Sequence, residues 1–404
     1  MKSLQNIDSS EIKQIEIIDR ISKCLGRGLP APLSDLKMVV IIPAKNEEDQ
    51  ILSTLQSFSK QVHQDGFFDK AKFEILVLCH NCSDNTKKKC ELFFATHPDI
   101  FGYVLWLHSR IANTVGAARR ILMNIAYARL PDDRGLIIST DADTLPDKKW
   151  LHHLEKYIEQ DTSLVCGLIL SNVLGLQDQA MTYLLAKDEY LLLKSKLESK
   201  LLPDTNDPWP RHNYHWGPNM AIKKAVYGDI GGIRPLHFLE DVDLYNRVKS
   251  EGYLVRHCLK SKVFTSTRTD SRCQEGFGAE LRVWTDWEGV AYNVEGLEKL
   301  LRRYEIYGLI KEYYKDLSTR LLSQIATLAH IDKHELQHMV NTSERGEAMT
   351  IKMEEHLNES EEWNSLYPNK GVMDVCKELK NYFTQNAIPH PSISSIEQAH
   401  NDHQ

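Results

Sequence analysis

The chain has 404 residues, more than one ordinary core supports, so its length predicts one large domain with an appendage. Its 42% hydrophobic and 26% charged residues are the balance of an ordinary soluble globular protein. A net charge of −7 lacks the basic excess of a general nucleic-acid or anionic-membrane binder, and so argues against those classes while leaving room for a local basic patch.

Residues 1–36 carry one amphipathic segment, Ile12 to Cys24, ended by Gly26, Gly28, Pro30 and Pro32. This reads as an N-terminal helix and linker. Lys37 to Ile42 is a β-branched apolar run stopping at Pro43, a buried strand. Asp49 to Phe58 has helical spacing, and Phe73 to Cys79 is a second strand. A polar turn over Asn81 to Asn85 leads into a helix over Thr86 to Ala95. Tyr103 to Leu107 reads as strand, Val115 to Arg129 as helix, and Gly135 to Ser139 as a strand ending near Asp141. Strands alternating with helices predict an α/β fold, a mainly parallel sheet covered on both faces. Polar residues follow the strand ends: Lys45, Asn46 and Glu47, then His80 to Asp84, then Asp141 and Asp143. Ligand crevices in such sheets lie outside the carboxyl ends, so these distant loops are expected to meet.

Gln177 to Leu202 is helix-rich and leucine-rich with lysines, a candidate lid, peripheral membrane or partner contact, or packing element. Beyond residue 280 the pattern turns helical, over 293–330, 332–341, 345–358 and 371–386. The Ser-, His- and Asn-rich tail from Pro389 reads as disordered. The domain reading is therefore 1–36 helix and linker, 37–280 the α/β domain, 281–388 a helical C-terminal region and 389–404 a tail. The longest apolar stretch, Leu164 to Leu176, contains Ser171, Asn172 and two glycines, so no membrane span is expected. Eight scattered cysteines without a secretory signal predict reduced thiols in the cytoplasm. Cys79, Cys82 and Cys90 lack a second ligand pair at zinc spacing and read as core or loop residues.

Three segments carry chemistry. In Ser139-Thr-Asp-Ala-Asp143, two carboxylates one residue apart follow a buried strand and can approach one cation from a turn. Hard oxygen ligands suit Mg²⁺ or Mn²⁺. In Phe238-Leu-Glu-Asp-Val-Asp-Leu244 a Glu-Asp pair opens a helix. It reads equally as a charged first turn and as a carboxylate that takes a proton from a hydroxyl. In His215-Trp-Gly-Pro-Asn-Met-Ala-Ile222 a shaped loop precedes a strand. His215 and Trp216 can stack on or bond a sugar there, or simply pack beside the turn.

Taken together these segments resemble family 2 glycosyltransferases with a GT-A fold. Val39-Val-Ile-Ile-Pro-Ala-Lys-Asn-Glu-Glu48 is similar to that family's opening motif, and Gly116-Ala-Ala-Arg-Arg120 to its Gly-x-Ala-Ala-Arg-Asn helix start. Asp141-Ala-Asp143 resembles its metal motif. Gly217-Pro-Asn-Met-Ala-Ile222, Gly231-Gly-Ile-Arg234 and Glu240-Asp241 resemble its acceptor-side elements. The likeness spans about 37–270, in the right order. It implies a metal-dependent inverting transferase using a UDP- or GDP-type nucleotide sugar and an unidentified acceptor. It implies that Pro43, Ala44 and Glu47 contact the nucleotide, that Arg119 lies near base or phosphates, and that Asp141 binds ribose or sugar and helps hold the metal on Asp143. Asp241 would be the general base with Glu240 in support, and His215, Trp216, Gly217 and Asn219 would face the substrate.

One departure is Cys79-His80-Asn81-Cys82, where the family carries Asp-Asp-Gly-Ser. His80 or Asn81 can bond a base, but the nucleotide is left open. No Gln-x-x-Arg-Trp occurs, which favours a non-processive enzyme. Thr265-Ser-Thr-Arg268 and Arg272 read either as diphosphate contacts or as a solvated loop. Three rival readings fit the sequence less well. His334-Glu-Leu-Gln-His338 is a literal zinc-protease motif, but Asp332 and Glu335 look like a capping pair opening a short helix. A scaffold that only binds nucleotide sugars is opposed by two intact carboxylate motifs. A dinucleotide-binding fold is opposed by Pro-Ala-Lys-Asn where glycines are needed.

Overall fold

The structure, a computed structural model, describes residues 9–64, 66–172, 178–267 and 292–386. Arg268, Arg272 and the tail from Pro389 lie outside the described residues. Two units emerge: 1–172 with 214–248 and 253–266, and 173–213 with 249–252 and 267–404.

The first unit is built on one eight-stranded sheet. Its strands are β1 (Met38–Ala44), β4 (Phe73–His80), β5 (Gly102–Leu107), β6 (Leu136–Ser139), β7 (Thr144–Pro146), β8 (Leu164–Ser171), β9 (Met220–Lys223) and β10 (Val255–Thr265). A small separate hairpin pairs β2 (Val62–His63) with β3 (Gly66–Phe67). The order in the large sheet is β5-β4-β1-β6-β9-β8-β10-β7. β1 pairs parallel with β4 and β6, β4 with β5, and β8 with β10. β9 is antiparallel to both neighbours, β6 and β8, and β7 is antiparallel to β10. Six strands therefore run one way and two the other, which matches the expected mainly parallel sheet.

The consequence for function is positional. The ends of β1, β4 and β6 and the loop entering β9 all open at one edge. β9 runs backwards, so residues 215–219 reach the sheet from the carboxyl side of its neighbours.

β1, β4 and β8 are mostly apolar because both faces are covered, with Glu74 and His80 the polar exceptions in β4; every residue of β4 and β8 is buried. β1 continues through Pro43 to Ala44, beyond the expected stop. Its β6 ladder ends at Ile41 opposite Ser139, so the missing proline N–H falls where the pairing is one-sided. Helix α4 (Val115–Arg129) starts on Thr114, whose hydroxyl accepts from the Ala117 N–H at 3.1 Å. Ile121, Leu122 and Ile125 of α4 share a core with Val39, Ile41 and Ile18 of α1 (Ser9–Arg27). Helices α2 (Ile51–Ser59), α3 (Thr86–Thr96), α5 (Trp150–Glu155), α7 (Lys224–Asp229) and α8 (Glu240–Ser250) complete the layers, α8 ending across the unit boundary. Glu74, fully buried in β4, pairs with Arg129 Nε at 2.6 Å. The same guanidinium donates to Pro30 O, and Leu33 N–H donates to Glu74, which fastens the linker.

The second unit is helical: α6 (Asp178–Leu201), α9 (Leu297–Asp316), α10 (Thr319–Ala329), α11 (Lys333–Asn341), α12 (Gly346–Glu359), α13 (Glu361–Leu366) and α14 (Val372–Gln385). Its core gathers Leu193, Leu197, Ile306, Met353, Trp363 and Phe383. Thus the leucine-rich 177–202 segment groups with the C-terminal helices, burying Leu193 and Leu197 there while Leu185 and Leu201 stay exposed. The single helix expected over 293–330 is two, parted at Leu317, whose φ of 51° ends α9 in the left-handed region. A two-stranded ribbon of β11 (Asn293–Val294) and β12 (Lys370–Gly371) was not foreseen, nor was α13; all three are too short for a periodic signal.

Candidate active site

The loops after β1 and β4 are zipped together. Asn46 and Asn81 adopt φ of 56° and 51°, a left-handed turn that Asn tolerates better than most residues. Asn46 Oδ1 accepts from Ser83 N–H at 2.7 Å, Thr86 Oγ1 from Glu47 N–H at 2.7 Å, and Asp84 from Glu48 N–H at 3.1 Å. Cys82 donates to Ala44 O at 3.3 Å. Pro43, Ala44 and Glu47 are therefore held at the carboxyl edge, with the Glu47 backbone fixed by α3. Cys79 and Cys90 are buried; the hydrogen bond to Cys82 lowers the Cys79 pKa, but the one to Cys90 and burial outweigh it and push the thiol up to about 12. That fits inert structural thiols.

His80 and Asn81 serve the next loop. His80 is buried, and its Nε2 bonds Ala112 O. Desolvation holds its pKa below the ordinary histidine value, so the ring is neutral. Asn81 clamps Ser109 through both ends of its amide, accepting from Ser109 N–H at 2.8 Å and donating to Ser109 O at 2.9 Å. The stretch that departs from the Asp-Asp-Gly-Ser pattern thus builds loop structure with the side chains that were candidates for base contact.

Beyond β6, Asp141-Ala-Asp143 forms a tight turn closed by Thr144 N–H to Asp141 O at 3.2 Å. Thr54 of α2 donates to Ala142 O at 2.8 Å, and Ser266 N–H donates to Asp143 O at 3.2 Å. Both Asp141 and Asp143 are partly exposed. The turn is therefore pinned from two sides while its carboxylates stay near solvent.

The centre of the site is Arg119, on α4. Its Nη2 pairs with Asp141 Oδ1 at 2.5 Å, its Nη1 with Glu240 Oε1, and Nη1 lies 4.0 Å from Asp241 Oδ2. Burial alone would lower the Arg119 pKa, but the carboxylates of Asp141, Glu240 and Asp241 outweigh it and hold it above the ordinary value. Glu240 is buried, and that desolvation raises its pKa in spite of Arg119. The two shifts agree in cause: a desolvated cluster with more carboxylates than cations. Asp241 Oδ2 accepts from Gly217 N–H at 2.6 Å and its Oδ1 from Val242 N–H at 2.8 Å, so both oxygens have fixed directions. Gly217 is required by space, since a Cβ there would stand 2.1 Å from Arg119 Nη1.

The donor set tests whether a divalent cation fits. Around Arg119 stand three carboxylates against one guanidinium, and Asp143 lies in the same turn as Asp141. Carboxylate oxygens are hard ligands of the kind that Mg²⁺ or Mn²⁺ takes. The structure thus joins Asp141, Glu240 and Asp241, which are up to 100 residues apart in sequence, through a residue of a third segment.

The loop entering β9 divides in role. His215 stacks on Tyr245 of α8 with ring centres 4.1 Å apart, and Trp216 meets Tyr214 edge-on at 5.0 Å. Asn219 is buried; its amide accepts from Trp150 Nε1 at 2.9 Å and donates to Leu168 O and Ser261 O. It fastens β8, β10 and α5 from within the sheet rather than facing a ligand. Gly167 makes room, because a Cβ there would lie 2.2 Å from Asn219 Nδ2.

Other supports hold the turn ahead of α8. Arg120 bridges Asp19 at 2.7 Å and the carbonyls of Gly231 and Ile233. Arg247 pairs with Asp243 at 2.8 Å and bonds the carbonyls of Ile230 and Gly232. Together they shape the Gly231-Gly232 turn ahead of α8. Leu239, with φ of 58°, aims Glu240 and Asp241 from the start of that helix. The Arg119-Arg120 pair was the one available clue: two guanidiniums on an otherwise buried helix need partners.

The His-Glu-x-x-His segment lies elsewhere, in the second unit. Asp332 caps α11, accepting from His334 N–H at 2.7 Å and Glu335 N–H at 3.3 Å. His334 and His338 are exposed, and Glu335 bonds His356 Nδ1 at 3.0 Å. Among the described residues no third ligand joins the two histidines.

Residues 39–217 match the family described as Glycosyl transferase family 2. A probable glycosyltransferase of Bacillus subtilis (strain 168), YdaM, is 24% identical over 229 residues, which is 54% of this chain and 48% of that protein. The chain therefore spans about half the length of that curated relative. Among solved structures, the mannosyltransferase PcManGT of Pyrobaculum calidifontis, in complex with GDP-Man and Mn²⁺, has a TM-score of 0.44 at 14% identity, over 94% of this chain and 96% of that one. TarS 1-349 of S. aureus, in complex with UDP-GlcNAc, has a TM-score of 0.43 at 16% identity, over 88% of this chain and 82% of that one.

Proposed function

We propose that this chain, whose residues 39–217 belong to glycosyl transferase family 2, moves a sugar from a nucleotide-sugar donor to an acceptor hydroxyl with the help of a divalent cation. The observation that carries the reading is the meeting of Asp141, Glu240 and Asp241 on Arg119 at the carboxyl edge of the sheet. A buried ion-pair network needs no carboxylate excess for stability, whereas a site that takes up a divalent cation does.

In this reading Pro43, Ala44 and Glu47 line the nucleotide side, and Asp141 and Asp143 hold Mn²⁺ or Mg²⁺. The metal, when bound, supplies charge that stabilises the departing diphosphate. Arg119 sets the positions of Asp141, Glu240 and Asp241. Asp241 takes the proton from the acceptor hydroxyl, whose oxygen bonds the anomeric carbon as the bond to the diphosphate oxygen breaks. Attack opposite the leaving group inverts the anomeric configuration. Glu240, buried and bonded to Arg119, positions its neighbour. Trp216 and Gly217 border the acceptor side.

His80 and Asn81, engaged with residues 109–112, leave the nucleotide undetermined between UDP and GDP types. Every cysteine among the described residues is a free thiol, which favours a reducing, cytoplasmic setting. No helix among the described residues is long and apolar enough to cross a membrane.

The test is release of nucleoside diphosphate from a panel of UDP- and GDP-sugars, with and without Mn²⁺. One donor is expected to respond, and Asp143→Ala is expected to abolish the metal-dependent part. Hydrolysis and transfer that persist in chelator would overturn the metal assignment.

A further inference from the structure

A second metal-ligating cluster lies away from the carboxylates around Arg119. His63 of β2 and His152 and Glu155 of α5 bring their donor atoms within 4.8 Å of one another. The rings of His63 and His152 meet edge-on with centres 4.3 Å apart, and His63 Nε2 is 3.7 Å from Glu155 Oε2. His152 and Glu155 are three residues apart on one helix, the spacing that places two side chains on one face. His152 is only 7% exposed, and its buried Nδ1 has no hydrogen-bond partner. A buried ring nitrogen without a partner costs free energy unless something ligates it.

We propose that His63, His152 and Glu155 form a zinc site that clips the β2–β3 hairpin to α5. Two imidazoles and one carboxylate are a donor set suited to Zn²⁺, with a fourth position left to water. The carboxylates around Arg119 are instead an all-oxygen set, so the two sites select different ions.

The backbone beneath the cluster is already fixed. Val62 N–H donates to Lys148 O at 2.8 Å. The Gln61 amide donates to Asp147 O at 2.9 Å and accepts from Leu151 N–H at 3.0 Å. These bonds set the hairpin against the start of α5. Zinc bonds near 2.1 Å put ligand atoms roughly 3.4 Å apart, closer than the 4.8 Å within which these donors lie. His63 is half exposed, with its ring against His152 and Phe68.

Lys72 bonds the other Glu155 oxygen, Oε1, at 2.7 Å. It orients the carboxylate with Oε2 toward His63, as an outer partner does for a ligating carboxylate. Its charge also opposes a cation, so the site is weaker than a four-ligand structural zinc. Neutral imidazoles are the ligating form, and burial keeps the His152 ring neutral.

The experiment uses the full chain, stripped with chelator and then dialysed against Zn²⁺ with Mg²⁺ in excess to fill hard-oxygen sites. Zinc content and thermal midpoint are then read without any sugar donor. The wild type is expected to retain one zinc and to gain thermal stability on adding it. His63→Ala and Glu155→Gln are expected to lose that zinc, or to bind it at least tenfold more weakly, and to lose the zinc-induced shift. Because His63 is half exposed, His63→Ala tests the site without opening the core, as His152→Ala would. His338→Ala, in the other unit, keeps the zinc. A wild type that retains none, or variants that match the wild type, would overturn the proposal. Either result leaves the transferase reading standing, since that rests on different residues and a different ion.

Discussion

Each unit contains a buried charge cluster, and the two are built oppositely. In the first, one guanidinium, Arg119, faces three carboxylates. In the second, one carboxylate, Glu295, faces Lys194 at 2.7 Å and Arg303 at 2.6 Å, with Lys299 nearby. Burial opposes the Glu295 charge, but these cations prevail and lower its pKa to about 2. In that cluster every anion is over-compensated by cations supplied from within the fold, so nothing further is needed. In the Arg119 cluster the anions exceed the cations, and Glu240 is raised rather than lowered. A network that only stabilises tends toward the balance around Glu295. One built to receive a divalent cation is left short of positive charge until the cation arrives.

The comparison can be broken in order of expected effect. Asp241→Asn keeps the shape but removes the proton acceptor, so transfer should fall by about 10²–10⁴ while donor binding survives. Steady-state rates beside donor titrations check this; unchanged transfer would reassign the base. Arg119→Met strands the buried Glu240 carboxylate and should cost about 3–5 kcal/mol, read by denaturant unfolding of the folded chain. A loss below 1 kcal/mol would mean the cluster is not coupled through Arg119. Glu295→Gln should cost roughly 3 kcal/mol at neutral pH. Its folded pKa is depressed from 4.5 to about 2. The stabilisation is therefore complete above 4.5 and is lost as pH falls toward 2. The gap between wild type and variant should close across that window, and a gap independent of pH would deny Glu295 its role. Smallest of all, His338→Ala should change stability by no more than ~0.5 kcal/mol and leave nucleotide release intact. An effect on either would reopen the metal reading of that helix.

Much of the first unit was readable along the chain because its strands are apolar runs and its helices are capped or broken by identifiable residues. The limits of α4 were predictable because Thr114 caps its start and the apolar pattern stops at Arg129. Asp141-Ala-Asp143 was visible because a polar pair interrupts a buried strand end. The Glu240-Asp241 pair was ambiguous, since an acidic first turn has a sufficient local explanation in the helix dipole. Asn219 and His80 looked like ligand contacts because polar residues beside turns at strand ends are common in sites. Whether their hydrogen bonds point outward or into the scaffold depends on Trp150, Ala112 and other partners distant in sequence.

The sequence by itself determined the strand–helix alternation, the metal-suited aspartate turn and the family likeness, because each is encoded within a short window of residues. Only the tertiary structure decided that Arg119 joins three carboxylates, that β9 runs backwards to bring residues 215–219 to the same edge, and that His63 meets His152 and Glu155. Those are pairings across tens to a hundred residues. Local spacing holds no information about them until the sheet order sets which loops are neighbours.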